Sequence, residues 1–118
     1  MAKNSIGLIE LTSIAAGYLA ADAMLKASDV EMMLSRSICS GKYMVMVRGD
    51  VAAVEAAVSS GMSGCRFAVI DSFVIPNLHD AVFPAIAGSS KVEELNALGI
   101  VESFSAPPPK TIPQSPAR

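Results

Sequence analysis

Tryptophan is absent from the 118-residue chain, aromatic side chains make up 5% of it and charged ones 17%. A basic stretch with interleaved aromatics, the footprint of a nucleic-acid binder, is missing, and the net charge of −2 points the same way. No apolar run approaches the length of a membrane span, so neither nucleic acid nor membrane is expected as a partner. Cysteine is scarce: Cys39 and Cys65 are widely spaced, which speaks against a disulfide framework. The start, Met1-Ala2-Lys3-Asn4-Ser5, lacks the charged and apolar regions of a secretory signal, and a cytoplasmic setting is expected. His79 is the only histidine, with no Asp, Cys or Ser at a recognised catalytic spacing. Gly7 and Gly99 stand singly rather than in a phosphate-cradling loop. No enzyme is expected and no catalytic residue is assigned; His79 reads as a helix-surface or edge contact.

What the chain has in quantity is small and aliphatic side chains. Apolar residues reach 52%, and the mean hydropathy of +0.47 is high for one small domain. That surplus predicts buried subunit interfaces, made by close approach of small residues because aromatic anchors are few.

The pattern predicts a first strand over residues 5–11, then Thr12 and Ser13 as caps for a helix over 14–27. Ile14, Tyr18, Ala21 and Leu25 recur at helical spacing and are expected to face a sheet, with Asp22 and Lys26 paired one turn apart. A second strand over 30–38 alternates imperfectly, with Val30, Met32, Leu34 and Ile38 on one face. A polar turn, Ser37-Ile38-Cys39-Ser40-Gly41-Lys42, leads into Tyr43-Met44-Val45-Met46-Val47, apolar on both faces and so expected inside a sheet. The methionines of this run read as core. Asp50 is placed to cap a helix over 51–62 with Val51, Val54 and Val58 as its stripe, and this strand-to-cap reading of Arg48-Gly49-Asp50 is preferred to an adhesion motif. A fourth strand over 67–75 is closed by Pro76, and Asn77 is expected to cap a short helix over 78–83. The order strand-helix-strand-strand-helix-strand is the α+β, ferredoxin-like split βαβ arrangement: a four-stranded antiparallel sheet with both helices on one face. The short helix or a neighbouring subunit would cover the other face.

Beyond residue 88 a helix is expected over 91–98. Ile6-Gly7-Leu8-Ile9-Glu10 then recurs as Leu98-Gly99-Ile100-Val101-Glu102, with Ser13 matched by Ser105. The expected organisation is a domain over 1–88, a helix and an extra C-terminal strand over 89–105 that resemble the start of a truncated second repeat, and a Pro-rich disordered tail over 106–118. Glu10 and Glu102 occupy matching strand ends; a carboxylate pair is one reading, and a structural hydrogen bond at a strand end is the simpler one. Cys65 is expected to pack in the core. Cys39, in a Ser-Gly turn, is either a small buried side chain or a ligand, and a metal cluster would need several copies to bring three or four thiolates together.

Ile6-Gly7-Leu8-Ile9-Glu10, Asp22-Ala23-Met24-Leu25-Lys26-Ala27, Val47-Arg48-Gly49-Asp50-Val51 and Val74-Ile75-Pro76 followed by His79 together resemble the bacterial microcompartment shell proteins, the BMC domain family. The resemblance runs over residues 5–87. It implies a homo-oligomer, a hexamer of flat hexagonal outline, that tiles edge to edge with other shell proteins around encapsulated enzymes. It implies that Ile38, Cys39, Ser40 and Gly41 line a central pore and that Lys26 sits at the tile edge. Asn77 stands where the family's edge arginine usually follows the proline, with His79 beside it. Within the family the likeness is to the first half of tandem-domain members from propanediol-utilisation compartments, on Glu10-Leu11-Thr12-Ser13-Ile14-Ala15, Ile38-Cys39 and Gly41-Lys42. In those members three pore cysteines hold an iron-sulfur cluster, which implies Cys39 as a metal ligand at the oligomer axis. The alternative expectation is an open pore that passes small polar metabolites.

Overall fold

The computed structural model describes residues 3–89 and 93–102. The elements run β1 (Ser5–Leu11), α1 (Ile14–Ala27), β2 (Glu31–Cys39), β3 (Lys42–Gly49), α2 (Val51–Ser63), a 3₁₀ turn (Arg66–Ala68), β4 (Val69–Ile75) and α3 (Val82–Ile86). The strands form one sheet in the order β2-β3-β1-β4, antiparallel throughout, which is the expected split βαβ arrangement. Both long helices begin at the anticipated caps. Ser13 Oγ accepts from the Ala16 amide at 3.3 Å and Asp50 Oδ1 from the Ala53 amide at 2.9 Å, each satisfying a first-turn N–H that the helix itself cannot.

β1 and β3 are central and contribute to two cores. Ile9, Leu11, Tyr43, Val45 and Val47 point toward α1 and α2, whereas Ile6, Leu8 and Met46 point to the other face and meet Phe83 of α3. The Arg48 guanidinium lies over the Phe83 ring at 4.2 Å and donates from Nη2 to the Lys3 carbonyl at 3.0 Å, so a cation–π contact fastens α3 to the sheet.

The large side chains of α1 do not face the sheet as expected. Ile14, Tyr18 and Leu25 are 47%, 65% and 47% exposed, and Ala16, Gly17, Ala20, Ala21 and Met24 are buried instead. The reason is steric. An added Cβ on Gly17 would stand 2.1 Å from the Tyr43 ring, so over Tyr43 the helix axis is close enough to the sheet for only small residues to fit beneath it, while Met24, further along, packs against Gly61 of α2. On α2, Val54, Ala57, Val58 and Gly61 are buried while Val51 is exposed.

Register shifts lie between Met32 and Leu34 and between Ser37 and Cys39. Each extra residue reverses the side-chain alternation. Met32 consequently packs with the α1/α2 core, Leu34 with the opposite one, and Ile38 is exposed, so these residues do not share a face. β4 begins at Val69 rather than at residue 67, because the 3₁₀ turn takes up Phe67, which is 87% exposed. Asn77 does not cap a helix: it adopts φ 51, and α3 starts later, at Val82. Residues 93–102 contain neither helix nor strand, which corrects the expected helix for 93–98 and the expected strand for 99–102. Residues 91–92 and 103–118, including the Pro-rich segment, lie outside the described residues.

Candidate functional site at the β2–β3 hairpin tip

Cys39 and Lys42 are the last cross-strand pair of the hairpin, leaving Ser40-Gly41 as a two-residue turn. Gly41 adopts φ 77, and no atom lies within 4 Å of where its Cβ would be, so the glycine serves the backbone bend and not a tight packing site. Ile38, Cys39, Ser40 and Gly41 are therefore brought together, and all four are exposed.

The base of the hairpin is fixed. The Tyr43 ring is buried under α1, its hydroxyl lies 2.7 Å from Ser35 Oγ, and the Tyr18 ring tilts against it with 5.6 Å between centroids. On the opposite face, Lys42 Nζ stands 4.0 Å from a carboxylate oxygen of Glu10, which is 2% exposed. Glu10 pairs across the sheet with Met44 and Asp71, whereas Glu102 is exposed; its interactions within the sheet account for Glu10 without a Glu10–Glu102 pair.

The two thiols have opposite surroundings. Cys39 is exposed; Cys65 is fully buried, donates from Sγ to the Gly61 carbonyl at 3.1 Å, and burial pushes its thiol pKa up. Core packing of Cys65 is thus as expected. Among the described residues no three His, Cys, Asp or Glu side chains converge as a metal site. One chain brings a single thiol to the tip, so its donor set fits an iron-sulfur cluster only if several copies place their Cys39 side chains around one point.

Lys26, Asn77 and His79 lie at the other end of the domain. α1 runs back along β1 from the tip end, and Lys26, in its last turn, is held by Asp22 at 2.7 Å. At that end Asn4 Nδ2 donates to Asn77 Oδ1 at 2.9 Å, and the Leu78 amide donates to the Asn4 carbonyl at 2.6 Å. His79 Nδ1 accepts from the Ala81 amide at 3.1 Å, and Asn77, Leu78, His79 and Asp80 border a shallow cleft with Asn4.

Arg36 and Asp71 were not singled out from sequence. Arg36 lies opposite Met44, Met44 opposite Glu10, and Glu10 opposite Asp71, so one transverse row crosses all four strands on the face away from α1 and α2. The row depends on strand register, which local sequence does not reveal.

The model of the BMC domain matches residues 5–78. The chain is 48% identical over 103 residues to the bacterial microcompartment shell protein PduT of Citrobacter freundii, covering 87% of this chain and 56% of that protein. It is 39% identical over 66 residues to the shell protein PduA of Salmonella typhimurium, covering 56% of this chain and 70% of that protein. A solved microcompartment protein from Desulfitobacterium hafniense superposes with a TM-score of 0.74 at 44% identity, over 79% of this chain and 52% of the other. The chain thus spans about half the length of PduT and of the Desulfitobacterium protein.

Proposed function

The chain belongs to the BMC domain family, and from that membership we propose that it is a structural tile of a bacterial microcompartment shell. The observation that carries the reading is the extent of the family match, which spans all four strands and both long helices. Copies assemble as a closed ring, six in the simplest case, with the hairpin tips at the axis and the opposite ends of the domains at the perimeter. Ile38, Cys39, Ser40 and Gly41 then line the central opening. Small polar metabolites cross it as the Ser40 hydroxyl and the tip backbone replace part of their hydration. Among the described residues no helix is long and apolar enough to cross a membrane, and the chain's apolar surplus is spent on contacts with its own copies. Partners at the perimeter are other shell proteins, and the enclosed space holds enzymes.

Exposure of Cys39 at the tip favours a second reading of the same ring, in which thiolates from three or more copies hold an iron-sulfur cluster. The cluster would supply one-electron transfer. The chain's own part is to present Cys39 on a hairpin whose base is immobilised by Tyr43, Ser35 and Lys42. Native mass spectrometry of protein purified without oxygen separates the readings. A ring of 12.2 kDa chains with no added mass gives an open pore. The same ring with iron and sulfide mass, lost in Cys39→Ser, gives the relay, and a chain that never associates removes both.

Lys26, Asn77 and His79 are assigned to contacts between tiles. Lys26→Ala is expected to leave ring mass unchanged and to reduce sheet formation, since the Lys26–Asp22 pair is exposed and contributes at most about 1 kcal/mol to the domain itself. Sheets of undiminished extent by electron microscopy would remove Lys26 from the edge.

A further inference from the structure

The row Arg36–Met44–Glu10–Asp71 has unbalanced ends. Glu10 and Asp71 face each other directly across β1 and β4, an arrangement that is unfavourable for like charges. Lys42 approaches Glu10 at 4.0 Å, and among the described residues no cation lies within ion-pair distance of Asp71. Asp71 is half-buried, and its Oδ1 accepts from the neighbouring Ser72 amide at 2.8 Å. At the other end of the row Arg36 is exposed and makes no ion pair among the described residues. The excess anion and the free cation therefore sit on opposite edge strands of one sheet, at the same level and on the same face.

We infer that Arg36 on the β2 edge of one copy pairs with Asp71 on the β4 edge of the next, forming a head-to-tail contact that closes the ring. The inference rests on the ring reading above. A cyclic assembly brings unlike flanks together. With hairpin tips at the axis, the two edge strands are the flanks of each domain. Arg36 supplies Asp71 with the cation that the described residues of its own chain do not provide. The partner is a second copy of this chain, selected by charge of opposite sign on opposite edges. Two β2 edges apposed in an isologous dimer would instead bring Arg36 against Arg36.

The test is charge reversal read by ring dissociation on dilution, using native mass spectrometry or mass photometry of the full chain. Arg36→Glu and Asp71→Arg, each alone, are expected to raise the dissociation midpoint about tenfold or more, because like charges then meet at every contact. The double variant is expected to return to within about threefold of the unsubstituted protein. So is an equimolar mixture of the two single variants, which gives alternating rings with every pair restored. The size-conserving Arg36→Gln and Asp71→Asn should weaken the ring less, in the same direction, with neither lowering the stability of the isolated domain; Asp71→Asn, which relieves the repulsion with Glu10, is expected to raise it slightly. Single variants that assemble like the unsubstituted chain, or a double variant no better than either single, overturn the pairing while leaving the ring in place. An unsubstituted chain that stays monomeric overturns the ring reading itself, and the pairing with it.

Discussion

Gly17→Ala is expected to destabilise the domain by about 2–3 kcal/mol, a large loss for the addition of one methyl group. The added Cβ would stand 2.1 Å from Tyr43 Cδ1, 2.5 Å from Cγ and 2.8 Å from Cε1. The ring cannot swing aside. It is 3% exposed, its hydroxyl is held by Ser35, and Tyr18 rests against it. α1 must therefore lift, which opens its contacts through Ala20, Ala21 and Met24. Alanine gains about 1 kcal/mol in helix propensity over glycine, so the expected net loss is the clash less that gain. Gly64 is the internal control. It adopts φ −88 with no atom within 4 Å of a Cβ, so Gly64→Ala should be neutral or slightly stabilising. Urea unfolding followed by circular dichroism reads both, and equal midpoints for the two variants would refute the packing argument.

The same geometry explains what the sequence made legible. The bounds of α1 were readable because they are set locally: Ser13 caps one end and Ser28 follows the other. Its buried face was not, because Ile14, Tyr18 and Leu25 carry the stronger periodic signal while close approach to Tyr43 selects Ala and Gly. The hairpin turn was legible from Ser40-Gly41 alone. The faces of β2 were not, since two register shifts each reverse the alternation and neither leaves a glycine or proline as a marker. The tip residues of the candidate site follow from the turn and were readable. Arg36 and Asp71 are related through one hairpin pairing and two pairings distant in sequence, β1 with β3 and β1 with β4, so only the folded sheet relates them. Gly99 to Glu102 repeats the β1 motif without forming a strand, for a strand needs a partner and these residues pair with none of the four strands of the sheet.

The second large effect is in thiol chemistry. Cys39 is expected to react with a maleimide at least about a thousandfold faster than Cys65, because Cys65 becomes accessible only when the core opens at a cost of several kcal/mol. Burial also raises the Cys65 thiol pKa, which lowers its thiolate fraction while it is enclosed. The sign of the linked pH effect follows. Above the ordinary thiol pKa the unfolded chain has lost the Cys65 proton and the folded chain still holds it, so stability contributed by the neutral thiol falls as pH rises through that window. Below the window both states hold the proton and the contribution is constant. Gly17→Ala couples the two predictions: a loss of 2–3 kcal/mol in opening free energy corresponds to labelling of Cys65 about 30- to 150-fold faster, with Cys39 in the monomer unchanged. Mass spectrometry of the labelled chain against time reads both sites at once. Comparable rates at Cys39 and Cys65 in the unsubstituted protein would remove the buried assignment of Cys65, and slowing of Cys39 on ring assembly would place its thiol at a contact or within the pore.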